Sequence, residues 1–228
     1  MIAIVDYGVG NLKSVQNMLR AAGIDAVVSK EPDVLRKASK LLLPGVGHFR
    51  FGMESLRSFG LIDVLNDLVL DGRKPILGIC LGAQLLGRHS AEGDSAGLNW
   101  IPMETVAFDR TRLSNGERVP HIGWTDTSHT NCRLFAGLGD DARFYYVHSF
   151  HLRCDDPSMV ICTATHGYSF AAGVAHRNVF GVQFHPEKSH VFGRRVLENF
   201  AAMDDRAGVR APGAAAARGT RCGAEPHV

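Results

Sequence analysis

The sequence lacks a cysteine framework. It has five cysteines in 228 residues, Cys80, Cys132, Cys154, Cys162 and Cys222, with no Cys-x-x-Cys spacing. An odd count at such spacing makes a disulfide scaffold and a zinc knuckle both poor readings. Excess charge of one sign is also missing: 25 Lys and Arg against 23 Asp and Glu leave a net +2. Nothing in that balance would neutralise a nucleic acid, so none is expected as a partner. Long apolar runs are absent too. The stretches 41–43 and 76–86 are short or interrupted by glycine and polar residues, far from the roughly 20 residues that a spanning helix needs. The first six residues, Met1 to Asp6, show no charged leader and no cleavage site. The expectation is a cytoplasmic protein without a membrane segment. No internal repeat and no Walker A sequence is seen.

What is present reads as an ordinary globular chain, 45% apolar and 21% charged. That composition argues against disorder and can bury a sizeable core in one large or two small domains. The first half alternates strand and helix patterns. Strands are expected at 2–5, 26–28, 40–43 and 75–79. Helices are expected at 11–22, 33–38, 53–70 with a break at Gly60, and 81–88. Such units imply right-handed crossovers and a parallel sheet covered on both faces. From residue 100 to about 182 the runs are short and β-like, at 105–108, 143–147, 159–163, 169–175 and 179–182, with Gly, Asn and Asp between them. They are expected to extend the same sheet in antiparallel fashion, before a last helix at 191–203. Residues 204–228 carry seven alanines, four glycines and four arginines with almost no large apolar side chain. This tail is expected to be disordered, with Cys222 incidental, because it cannot bury enough surface to offset its ordering entropy. The domain is therefore 1–203.

The strongest local signal is Gly78-Ile79-Cys80-Leu81-Gly82. An expected strand runs in and an expected helix runs out, which is the context of a nucleophile elbow with cysteine in place of serine. Small residues two before and two after the nucleophile allow a sharp turn, and the helix start favours a thiolate. The Leu81 N–H is then an oxyanion donor. The competing reading is a buried structural cysteine. A nucleophile of this kind needs a base and an orienting group. Gln183-Phe184-His185-Pro186-Glu187 supplies both at the carboxyl end of an apolar run, where open α/β sheets place their sites. Glu187 can accept from the His185 ring and set its tautomer.

Three decoys fail. Gly93-Asp94-Ser95-Ala96-Gly97 fits Gly-x-Ser-x-Gly without a strand before it or a helix after it. Gly8-Val9-Gly10 has Lys13 at the third glycine position of a dinucleotide fingerprint. His148 and His151, three apart in one expected strand, would point to opposite faces and hold no metal. Neither a metal nor a cofactor is expected.

Together these stretches resemble the class I glutamine amidotransferases. Within them the likeness is to the glutaminase subunits of imidazole glycerol phosphate synthases, and it runs in order over roughly residues 1–203. The matching segments are 5–12, Leu43-Pro44-Gly45-Val46-Gly47, 77–86, Val119-Pro120-His121-Ile122-Gly123-Trp124, 144–149 and 181–189. The Pro-Gly-Val-Gly loop and the Pro-His-x-Gly-Trp segment separate these subunits from the anthranilate, carbamoyl phosphate, GMP and pyridoxal phosphate relatives. The resemblance implies an α/β fold of three layers: an open, mostly parallel, flavodoxin-like sheet with an antiparallel extension. It implies a catalytic triad of Cys80, His185 and Glu187, and an oxyanion hole from Val46, Gly47 and Leu81. Gln84, Ser149 and Phe150 would hold glutamine. It also implies a heterodimer with a (β/α)₈ cyclase that receives the ammonia, with Asn11, His121 and Trp124 near the interface. For Trp124 a core or lid aromatic is the alternative. In such subunits the glutaminase is nearly silent alone. The glycines flanking Val46 suit a peptide flip that points an oxyanion donor away in the resting chain.

Ala83, the stretch His48-Phe49-Arg50-Phe51, and His190 depart from the usual pattern. The last two resemble a paralogous branch that feeds ammonia to amidation of a surface-polysaccharide sugar. The triad does not decide between the two, because the first half-reaction is shared. A binding-only regulatory subunit is a further alternative, against which the intact Cys80, His185 and Glu187 speak.

Overall fold

In the computed structural model the described residues are 1–114 and 116–203; the expected disordered tail and Cys222 lie outside them. The first half has the expected alternation: β1 (Ile2–Val5), α1 (Leu12–Ala21), β2 (Ala26–Ser29), α2 (Pro32–Lys37), β3 (Lys40–Gly45), α3 (Phe49–Ser58), α4 (Leu61–Asn66) running into a π turn at Asp67–Asp71, and β4 (Ile76–Cys80). The break between α3 and α4 falls at Gly60, whose φ of 66° is left-handed. Then come α5 (Leu81–Leu85), β5 (His89–Ser90), β6 (Ser95–Ala96), β7 (Met103–Ala107), β8 (His121–His129), β9 (Arg143–His148), β10 (Phe150–Cys154), β11 (Val160–His166), β12 (Tyr168–His176), β13 (Val179–Val182) and α6 (His190–Ala202).

The sheet runs β2-β1-β3-β4-β13-β12-β10-β7-β5-β6, with β11, β8 and β9 branching from β12. Strands β2, β1, β3, β4 and β13 are parallel. β1, β3, β4 and β13 are buried along their whole length, as strands covered on both faces must be. Successive side chains alternate between the two layers. Ile2, Ile4, Leu42, Leu77 and Ile79 pack toward Val15 and Leu19 of α1 and Val196, Leu197 and Phe200 of α6. Ala3, Val5, Leu41, Leu43 and Ile76 pack toward Leu35, Phe49, Met53, Leu56, Leu61 and Leu65 of α2, α3 and α4. The result is a three-layer α/β fold with a mostly parallel sheet and an antiparallel extension. Among the described residues no helix is long and apolar enough to cross a membrane.

Three expectations change, and the rejection of an elbow at Ser95 stands. Residues 179–182, expected in the antiparallel extension, form the seam instead: β13 is parallel to β4 on one side and antiparallel to β12 on the other. The helix expected over 81–88 ends at Leu85, because the chain must turn back to pair β5 with β7. The Ser95 stretch sits in the short β5–β6 hairpin, where Gly93 and Asp94 both take positive φ, so an elbow there is excluded. His148 and His151 lie on different strands and pack on one ring, Phe108, with centroids 5.2 and 4.9 Å away; the opposite-face reading fails because the chain breaks strand geometry at Ser149.

One close approach sets the depth of the elbow. A β-carbon on Gly82 would lie 1.6 Å from the Leu43 carbonyl oxygen, so α5 rests directly on β3. Gly82→Ala is expected to push α5 off the sheet and lower stability by about 2–3 kcal/mol, read as a drop in the urea midpoint.

Candidate active site

Cys80 ends β4 and precedes the first turn of α5 with φ 54° and ψ −109°. Positive φ at a side-chain-bearing residue is strained, and here it projects the thiol from the sheet's carboxyl edge. Besides the His185 ring, the sulfur has two polar neighbours. The Val147 carbonyl oxygen lies 3.9 Å away and the Gln183 side-chain amide nitrogen 3.7 Å away.

His185 follows β13, the strand beside β4. Its backbone is held by two of three linked hydrogen bonds. Its N–H donates to the Tyr145 carbonyl at 2.9 Å, its carbonyl accepts from the Ser189 hydroxyl at 2.6 Å, and that hydroxyl accepts from the Tyr145 N–H at 3.0 Å. β9 is thereby tied over the end of β13. The ring Nδ1 lies 2.8 Å from Glu187 Oε1. Both side chains are almost fully buried, at 1% and 3% exposure, so the pair is shielded from solvent screening. Nε2 makes no hydrogen bond of regular geometry, and neither does Glu187 Oε2. Burial disfavours the charged ring, but the Cys80 sulfur and the Glu187 carboxylate outweigh it and push the His185 pKa up to about 10. Cys80, His185 and Glu187 are thus brought together from two neighbouring strands, in the order that a nucleophile, a base and an orienting group would require.

Gly45 pairs with Cys80 and lies against Leu81; after it, Val46 is 40% exposed and Gly47 has a φ of 100°. Gln84 is buried, its amide nitrogen 3.2 Å from the Phe150 carbonyl and 3.1 Å from Gln183 Oε1. Ser149 links β9 to β10, which Phe150 begins, and both residues are half-buried. Asn11 caps α1, its side chain accepting from the Ser14 N–H at 3.3 Å, and it is exposed. Trp124 is exposed and stacks on His190 at 5.3 Å and 6°. His121 is buried, with Nδ1 3.0 Å from His148 Nε2 and Nε2 2.8 Å from the Thr125 hydroxyl. Burial lowers the His121 pKa to about 4, helped by His166, and lowers His148 well below the ordinary histidine range. Among the described residues no three His, Cys, Asp or Glu groups are placed to hold a metal ion.

The sequence reading missed Gln183 as a participant. Its only signal was a polar residue at the end of an apolar run, which is commonplace.

The family model for glutamine amidotransferase class I matches residues 3–203. The chain belongs to the class I glutamine amidotransferases. It is 45% identical over 204 residues to the imidazole glycerol phosphate synthase subunit HisH 2 of Pseudomonas aeruginosa, covering 89% of this chain and all of that one. It is 45% identical to the protein of the same name from Methanococcus maripaludis, over 88% of this chain and 98% of that one. It is also 44% identical to subunit HisH of Bdellovibrio bacteriovorus, over 89% and 100%. Among solved structures, a glutamine amidotransferase superposes with a TM-score of 0.66 at 20% identity, over 88% of this chain and 97% of that one. The fold is therefore that of this amidotransferase family.

The pKa shifts give a signed pH dependence of stability. His185 is raised above the ordinary 6.5, so its contribution is complete below pH 6.5 and is lost as pH rises toward about 10. His121 is lowered to about 4, so its neutral, buried form is penalised as pH falls below 6.5. The melting temperature is expected to peak near neutrality, and Glu187→Gln is expected to flatten the alkaline limb while sparing the acid limb. A melting series from pH 4 to pH 10 checks both.

Proposed function

We propose that the chain hydrolyses glutamine to glutamate and ammonia as the glutaminase subunit of an imidazole glycerol phosphate synthase. The observation that carries this reading is the His185 ring set between Cys80 and Glu187 at a strained elbow. Chemically, the Cys80 proton rests on His185 Nε2, which favours its charged form, and the thiolate sulfur attacks the glutamine carboxamide. The oxyanion of the tetrahedral adduct is met by backbone N–H groups of Leu81 and the Val46-Gly47 loop. Collapse breaks the C–N bond, and His185 hands its proton to the departing ammonia. The resulting γ-glutamyl thioester is cleaved by water, with His185 as the base. Glu187 keeps the ring in one orientation through both half-reactions. Gln84, Ser149 and Phe150 would hold the glutamine backbone.

The names of the relatives support a subunit of a larger synthase. Ammonia released beside Cys80 has to reach a second site without mixing with bulk water. The reading therefore includes docking on a (β/α)₈ cyclase and passage of ammonia through it, toward imidazole glycerol phosphate and AICAR. Asn11 and Trp124 would meet that partner directly. His121 would support the segment 121–129 from behind. Val46, exposed between two glycines, is placed for the flip that completes the oxyanion hole when the partner binds.

One observation favours a second reading. His190 takes a positive φ of 46° to stack on Trp124. In sequence, His190 and the His48-Phe49-Arg50-Phe51 stretch resemble the branch that supplies ammonia for sugar amidation. The chemistry at Cys80 is the same, and reconstitution with either kind of cyclase separates the two.

Glutamine-dependent turnover of the reconstituted synthase is expected to fall more than about a thousandfold in Cys80→Ala, with turnover on ammonium salts retained. Loss of both activities would make Cys80 structural. The free wild-type chain is expected to hydrolyse glutamine far more slowly than the complex; equal rates would refute the gating by the Val46 loop.

A further inference from the structure

The Cys80 sulfur sits between an acceptor and a donor. Val147 offers only a carbonyl oxygen, 3.9 Å away, and Gln183 presents its amide nitrogen at 3.7 Å. A thiol can donate to Val147. A thiolate is repelled by that carbonyl and gains from an N–H on that side, in addition to the His185 ring.

The orientation of the Gln183 amide is forced by its surroundings. The chain of contacts starts at the Phe150 carbonyl, which can only accept. Gln84 must therefore direct its NH₂ group there, at 3.2 Å, and the same nitrogen lies 3.1 Å from the Gln183 amide. Gln183 must then face Gln84 with its oxygen and Cys80 with its nitrogen. The opposite flip would set two NH₂ groups against each other and a carbonyl oxygen against the sulfur. Gln183 is wholly buried and its own N–H is fixed to the Ala172 carbonyl at 2.8 Å, so no water competes for the position.

We propose that Gln183 is a positioning residue for the nucleophile: its amide, oriented by Gln84 and the Phe150 carbonyl, donates to the Cys80 sulfur and holds it as the thiolate once its proton has moved to His185. The inference deepens the glutaminase reading, on which it rests for the identity of the nucleophile. It also assigns Gln84 a second duty, since the amide nitrogen expected near glutamine is already committed to this chain. The ionisable groups facing Cys80 are His185, backed by Glu187, and the buried Tyr7 hydroxyl, which Cys80 influences electrostatically.

The test is iodoacetamide alkylation of Cys80 across pH in the full chain, followed by mass spectrometry of the Cys80 peptide so that the other cysteines do not contribute. In Gln183→Leu the alkylation midpoint is expected to move up by about one pH unit and the rate at pH 7 to fall about tenfold, the size expected for one hydrogen bond to a charged group. Gln183→Glu is expected to move it further, by placing a like charge at the sulfur. Gln183→Met, which keeps the length of the side chain, provides the same readout if the leucine variant does not fold. A purely structural role would lower the melting temperature and leave the midpoint where it is in the wild type, and that result would overturn the proposal. The reagent needs neither glutamine nor a partner. A wild-type chain that alkylates normally but makes no glutamate with its cyclase would therefore defeat the glutaminase reading and leave the Gln183 assignment standing.

Discussion

The site hangs on one strained backbone turn. Cys80 holds φ 54° and ψ −109°, a conformation that costs on the order of 1–3 kcal/mol and persists only where the surroundings over-determine it. Here they do. β4 is clamped between β3 and β13 by parallel pairing in register, Gly45 beside Cys80 and Val182 beside Ile79. α5 rests on the Leu43 carbonyl through Gly82. Strand and helix are both immovable, and the residue between them takes the only path left. The same turn sets the sulfur at the carboxyl edge of the sheet, at the start of α5.

The second constraint is the seam at β13. Parallel to one neighbour and antiparallel to the other, this strand joins the doubly covered half of the sheet to its extension. It carries Gln183 and His185 to the same edge as Cys80. β9, tied to the far side through Tyr145 and Ser189, brings the Val147 carbonyl over the sulfur. Behind it runs a polar chain. His148 Nδ1 meets the Phe150 carbonyl at 2.8 Å, so its Nε2 is left to accept from His121, which in turn meets Thr125. These buried imidazoles stay neutral while His185, with a carboxylate at one nitrogen and a sulfur beyond the other, favours its charged form. One ring type serves two purposes because the neighbours differ.

Much of the core was legible from the chain. Strands β1, β3 and β4 are continuous apolar runs, the pattern that burial on both faces imposes, and α1 shows its stripe at Val15 and Leu19. The elbow was legible because strand, small residue, nucleophile and small residue occur within a few positions. His185 and Glu187 are two apart with proline between, so their pairing is nearly local. β8 was not legible. His121 to His129 is half-exposed and polar, with Gly123 inside it, and it is a strand only because β9 and β11 hydrogen-bond to it on either side. Gln183 was passed over for a similar reason, since its partners lie 99 and 103 positions away.

The sequence by itself determined the alternation of the first half, the elbow at Cys80 and the pairing of His185 with Glu187, because each of these is written in residues close together along the chain. Only the tertiary structure decided where β13 sits, which way the Gln183 amide faces, and why one histidine is held charged while His121 and His148 are held neutral. Those outcomes depend on burial and on hydrogen-bond partners from distant strands, and a linear pattern carries no record of which distant groups will come to share a dry interior.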